Sequence, residues 1–331
     1  MTINNNNIFG AFTLGEVRSG RLTGEWLNKE SVANYGWFGG GSNPGGAVAT
    51  VDRIDFSNDS STASPRGPLS SARSGLTATG NSNYGWFGGG IPGPVAVSTV
   101  DRIDFSNDSS TASPRGPLSL ARQRLSATGN SNYGWFGGGY IPTPAAVSTV
   151  DRIDFSNDSS TASPRGSLSL ARGGPAATGN SNYGWFGGGV TPTTVFSTVD
   201  RIDFSNDTGT VNIRSPLSLA RQRSAATGNS NYGWFGGGQI PTPASTATVD
   251  RIDFSNDTAT ASVRGPLSSA RYIHAATGNS NFGWFGGGFI PASTATVERI
   301  NFSNDSSTAS VRGPLSSVRF SLAATSNTHI G

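Results

Sequence analysis

The sequence predicts an all-β propeller of six four-stranded blades, and three observations lead there. The segment Tyr35-Gly-Trp-Phe-Gly-Gly-Gly41 returns with its first residue at Tyr84, Tyr133, Tyr183, Tyr232 and Phe282. Its tryptophans, Trp37, Trp86, Trp135, Trp185, Trp234 and Trp284, lie 49 or 50 residues apart. A period of about fifty residues marks a propeller or a solenoid, in which each unit buries its faces against its neighbours. No part of the unit carries a helical period. Apolar, aromatic and β-branched residues gather instead in four short runs between turn signals.

The elements follow in order around one unit. The innermost strand is supplied by the end of the preceding repeat, as residues 125–128 at the end of this one supply the next; the second is expected at 84–87 and the third at 99–105. A weaker, outermost strand falls within 111–118. Asn130-Ser-Asn132, preceded by Gly129, turns the innermost strand into the second, and Ser106-Asn-Asp-Ser109 turns the third into the outermost. Asn and Asp side chains at such places bond their own backbone. Three glycines close the second strand, permitting positive φ and close passage of a neighbouring backbone.

The ends of the array predict how the ring closes. The first copy begins at its second strand, and the last ends with a spare innermost strand over 320–325. Joining that strand to the first blade closes six blades; a seventh blade built from residues 8–30 with the C-terminal strand is the alternative. Residues 34–331 thus form the propeller, and residues 1–33, which include Trp26 and lie outside the repeat, are read as a packing or docking segment.

The same residues carry a resemblance. A diglycine closing the second strand, then Val51, Arg53, Ile54 and Asp55, then Pro68-Leu69 and Ala72-Arg73, resembles the kelch repeat. The outermost strand departs from that pattern, having Ala63 to Arg66 where kelch repeats usually carry a tryptophan, so it is expected to be short. The wording Val-Asp-Arg-Ile-Asp-Phe-Ser-Asn-Asp, with Gly-Pro-Leu-Ser and then Ala-Arg, also resembles repeat proteins encoded by marine bacteriophages. That resemblance implies a tail or virion appendage made in the host cytoplasm, with other virion or tail proteins as partners.

Composition excludes several classes. Of 331 residues 34% are hydrophobic and 46 are glycine, a bias that suits tight turns because it is periodic. A typical repeat balances three acids against three arginines, as in Asp52, Asp55, Asp59 and Arg53, Arg66, Arg73, so the net +3 has no basic face and nucleic acid is not expected as a partner. Arginine–aspartate pairing between blades is the expected role of these residues. Cysteine is absent, the N-terminal residues lack the basic start and apolar run of a secretory signal, and no stretch is apolar enough to insert in a membrane.

Chemistry is sparse. Only His274 and His329 are available for general acid–base work, and His329 lies in the terminal tail. Ser205-Asn-Asp-Thr-Gly-Thr210 partly matches the turn box of sialidases, which makes a glycosidase the remote alternative. That box is a turn away from catalysis, so no catalytic residue is assigned. The glycine triplets lack a following Lys-Ser/Thr, and the Asp/Asn-rich turns explain themselves as Asx turns; no cofactor or metal is expected.

What differs among the copies is more informative. Between second and third strands the repeats read Ile91-Pro-Gly-Pro, Tyr140-Ile-Pro-Thr, Val190-Thr-Pro-Thr, Gln239-Ile-Pro-Thr and Phe289-Ile-Pro-Ala. Between the outermost strand and the next innermost one they read Ser74-Gly-Leu, Gln123-Arg-Leu, Gly173-Gly-Pro, Gln222-Arg-Ser and Tyr272-Ile-His. In an antiparallel blade both connections leave from one face of the disc. Tyr140, Phe196, Gln222, Arg223, Tyr272, His274 and Phe289 are the candidate ligand-contacting residues of that face. The expected function is a non-enzymatic interaction module, with a host-surface glycan or protein as ligand; a purely architectural part of the particle is the alternative, and self-association stays open.

Overall fold

The computed structural model describes residues 34–328 except 144, 210 and 243. The expectations for residues 1–33 and for His329 lie outside the described residues. Six four-stranded antiparallel sheets succeed one another, and in each the strand order is innermost, second, third, outermost. The second blade is typical, with Thr77–Gly80, Tyr84–Gly88, Val100–Asp104 and Ser113–Arg115. Each innermost strand lies beside those of the blades before and after it, and the circle closes through Ala323–Ser326 and Thr77–Gly80.

Closure is made by the C-terminal strand. Ala323–Ser326 pairs with Tyr35–Gly39 in the register Trp37 opposite Thr325 and Phe38 opposite Ala324. The strand is thereby used in the first blade, so the seven-blade alternative is wrong.

Side-chain size follows the taper of the disc. Innermost strands read Ala-Thr-Gly or close to it, because six of them converge on the axis. The second strands carry the bulk. Trp37 faces the second blade, among Phe87, Ile103 and Ala112, while its neighbour Phe38 faces the sixth, among Trp284 and Val297. A period of two in the strand thus shares its large side chains between the two flanking blades. Each seam adds a parallel stack, such as Trp37 on Phe105 at 3.9 Å between ring centres. Gly39 leaves room for this packing, since a Cβ there would lie 2.7 Å from the Phe87 ring; Gly40, at φ +65°, then turns the chain.

Boundaries shift by a residue or two from expectation. The third strand stops at Asp104 because the Asp104 carboxylate accepts hydrogen bonds from the Ser106 N–H and hydroxyl, which turns 105–107 into a single helical turn. The outermost strand has three residues, short as expected.

One turn residue does something else. Asp108, read as bonding its own backbone, reaches into the preceding blade and accepts from Trp37 Nε1 at 2.8 Å and Arg53 at 3.0 Å, with Arg66 at 3.6 Å. Arg53 also lies 4.2 Å over the Tyr35 ring. The arrangement recurs in every seam, and Asp59 completes the circle by accepting from Trp284 and Arg299.

Candidate functional site

Nearer the axis a second polar couple locks each seam. Arg73, fully buried, pairs with Asp101 at 2.7 Å and donates to the carbonyls of Gly89 and Thr99. Asp101 also accepts from the Ser70 hydroxyl and backbone. Burial pushes the Arg73 guanidinium down and the Asp101 charge opposes it. Asp55 and its equivalents hold the Ser57 type of turn. Ser205-Asn-Asp207 is the same device, with Asp203 binding Ser205 and Asp207 accepting from Trp135.

Above these couples the two variable connections meet. The backbone of Gln123 exchanges hydrogen bonds with that of Tyr140, at 3.0 and 2.8 Å, and the pairs Ser74–Ile91, Gly173–Val190, Gln222–Gln239, Tyr272–Phe289 and Ser42–Phe320 repeat the bridge around the face. Inside the bridges lies a feature that sequence reading missed. The N–H of Gly75 donates to Ser321, Arg124 to Gly75, Gly174 to Arg124, Arg223 to Gly174, Ile273 to Arg223 and Ser321 to Ile273, at 2.6 to 2.8 Å. Six backbones join head to tail in a closed ring around the axis. All six ring residues are left-handed, with φ between +52° and +65°. The signal available in the sequence was Gly75 and Gly174 in the middle of otherwise variable triplets.

The candidate residues distribute unevenly. The Tyr140 ring lies over Gly173, where a Cβ would collide with it, and its hydroxyl donates to the Val190 carbonyl at 3.1 Å. Tyr272, Phe289 and Phe320 form an aromatic run, with centroids 5.7 and 6.0 Å apart. Gln222 meets Gln239 through its amide at 3.4 Å. Arg223 stands in the ring. Phe196 is half-buried in the return stretch before Val199–Asp203, its carbonyl accepting from the Arg221 N–H at 3.0 Å.

His274 is a correction. It is 5% exposed and occupies the place of Leu76, Leu125 and Leu322, lining an axial cavity of about 110 Å³ beneath the ring. Neither imidazole nitrogen makes a well-aligned hydrogen bond; burial, reinforced by the Arg271 charge and opposed by the nearby Gly236 carbonyl, pulls its pKa down to about 3. It is a neutral wall residue and offers nothing to the surface. The other mouth differs in kind: its cavity, of about 140 Å³, is lined by the repeated Ala-Thr-Gly of the inner strands.

No family model matches the chain, and no curated protein is similar to it. Among solved structures, one entitled "Structure of YjhT" aligns over 80% of this chain and 91% of its own, with a TM-score of 0.67 and 12% identity. In all, 513 solved chains match, so the likeness establishes architecture and leaves the task open.

Proposed function

We propose that the chain is a non-enzymatic binding module, a kelch-like propeller that serves as a receptor-binding part of a phage tail or virion appendage and contacts its ligand through the variable mouth. One observation carries the reading. Differences among the six copies gather where two sets of loops meet at one mouth, on a scaffold whose seams repeat the same tryptophan, aspartate and arginine contacts. Loops on a rigid scaffold are where recognition is built. The mouth offers aromatic surface in Tyr272, Phe289 and Phe320 beside amides and guanidinium groups. Against catalysis, every described carboxylate has a partner in a turn or a seam, so none stands free at that mouth. The virion setting rests on the resemblance in the repeat wording.

The test replaces Tyr272 and Phe289 together by serine and measures attachment of the assembled particle, or of the isolated chain, to host cells. Attachment should fall with assembly unchanged. Normal attachment of loop variants across several blades, with incorporation abolished by changes on the opposite mouth, would make the propeller an architectural part.

A further inference from the structure

Every described arginine except two is paired with a carboxylate. The exceptions, Arg124 and Arg223, both stand in the hydrogen-bonded ring, where other blades place Gly75, Gly174, Ile273 and Ser321. Only Gly174 separates them along the ring, and it carries no side chain. The Arg223 stem lies over Gly174, its Cγ 3.2 Å from where a Cβ would be, and the Arg124 stem lies likewise over Gly75 at 3.7 Å. Arg223 Nε is buried without a partner. Tyr140 stands within the field of both guanidinium groups, and Tyr272 within that of Arg223.

Arg124 is exposed and Arg223 half-buried, its guanidinium pulled down by burial and by the Arg124 charge; two like charges so placed are unfavourable unless something negative joins them. The ring N–H groups are spent on the ring itself, so the guanidinium forks are the free donors at the centre of this mouth. Below them the buried hydroxyls of Ser126 and Ser224 face the axial cavity with no protein partner. Arginine forks match the planar or tetrahedral oxygens of carboxylate and phosphate. We propose that Arg124 and Arg223 form an oxyanion site at the centre of the variable mouth, taking a phosphate or carboxylate group, free or at the end of a larger ligand. The inference gives the chemistry of the surface assigned above to binding and rests on that assignment.

Isothermal titration of the full chain with inorganic phosphate, methyl phosphate and acetate at constant ionic strength tests it, beside Arg124→Gly, Arg223→Gly and the double variant. Glycine is what two other blades carry at this left-handed position, so the variants keep the fold, and thermal midpoints equal to or above wild type will confirm it. At least one probe should bind the wild-type chain at one ion per chain, at least tenfold weaker in each single variant and undetectably in the double. Methyl phosphate tighter than inorganic phosphate would point to the end group of a larger ligand, equal affinity to a free ion, and both support the site. No binding of any probe to wild type at millimolar concentration, or equal binding by the double variant, overturns the proposal. Because the titration needs no host cell, its outcome stays separate from the attachment test: anion binding lost with attachment intact would keep the site and remove it from receptor recognition.

Discussion

The two mouths of this propeller are tied together in different ways, and the difference explains where the sequence repeats and where it drifts. On the side of the Asp108 type of turn, neighbouring blades are linked by side chains: an indole, two guanidinium groups and a carboxylate in each seam. Asn130 adds to this, capping its own turn and reaching the Ser181 carbonyl of the next blade at 3.4 Å. Changing any of these residues breaks a contact, so the wording is the same in copy after copy. On the other side the bridges extend each blade's own inner ladder, and above the buried Arg73–Asp101 couples the blades are joined by main chain in the closed ring. Backbone hydrogen bonds do not depend on which side chain is attached, which frees that mouth to carry Tyr140, Gln222, Arg223 or Tyr272.

The largest break in this comparison should come from opening the circle. Deleting residues 320–331 removes the innermost strand of the first blade and the Ser321 link of the ring together. The second strand of that blade then becomes an open edge, a template for aggregation. Size-exclusion chromatography should show loss of the monomer and thermal unfolding a broad, lowered transition; a monomer with an unchanged midpoint would contradict closure by this strand.

Next in size is a single seam. Trp135 is fully buried, stacks on Phe204 at 3.8 Å and donates to Asp207 at 2.8 Å, so Trp135→Ala should cost about 3 to 5 kcal/mol and leave Asp207 short of a donor. Chemical denaturation would read it. Tyr272→Ser, on the main-chain side, should cost less than about 1 kcal/mol. Equal costs at the two mouths would show that the side-chain and main-chain linkages are not distinct.

His274 gives a prediction that depends on pH. Its folded pKa, about 3, lies below the usual value of 6.5, because it is buried and faces the cations of Arg271 and Arg221. The unfolded chain therefore takes up a proton near pH 6.5 that the folded chain refuses, and stability falls as pH drops from there toward 3. At pH 4.5 the loss from this residue should be roughly 2.5 kcal/mol relative to pH 7.5. The informative quantity is the difference from His274→Leu, which cancels every other acid-sensitive contribution and restores the residue of Leu76, Leu125 and Leu322. The two denaturation curves should diverge as pH falls; parallel curves would mean that His274 is solvated.

Fold was legible in the sequence to the extent that it is made by repeated side chains. The tryptophan period gave blade number, the Asx turns gave strand ends, and the offset of the array gave closure by a C-terminal strand, expected over 320–325 and found at 323–326. The mouth was legible as a place, since loops that vary together were inferred to share a face. Its geometry was hidden because the ring is main chain in a left-handed conformation, which glycine signals and Arg124, Arg223, Ile273 and Ser321 do not. His274 misled for a related reason. Variation beside a loop looks like surface, yet the residue after each ring position, Leu76, Leu125, Pro175, Ser224, His274 or Leu322, turns in to line the axial cavity.

The smallest expected effect tests the seam from its outer side. Five seams place glycine after the outermost strand or its close, at Gly67, Gly116, Gly166, Gly265 and Gly313, and the N–H of each donates to a carbonyl of the next blade at 2.8 Å. A Cβ at any of them would run into the neighbouring turn, as Gly67 would into the Ser110 carbonyl. The fourth blade has Ser215 instead; its N–H reaches Asp257 only at 3.2 Å, and its hydroxyl is pressed on the Thr258 carbonyl. Relief of such crowding is worth about 1 to 3 kcal/mol, while the extra freedom of glycine in the unfolded chain takes back about 0.5 to 1 kcal/mol. Ser215→Gly should therefore raise the thermal midpoint by about 2 °C, and Gly166→Ser should lower it by at least as much. If both substitutions lowered it, the fourth seam would have accommodated its serine, and the side-chain mouth would tolerate more variation than its repeated wording implies.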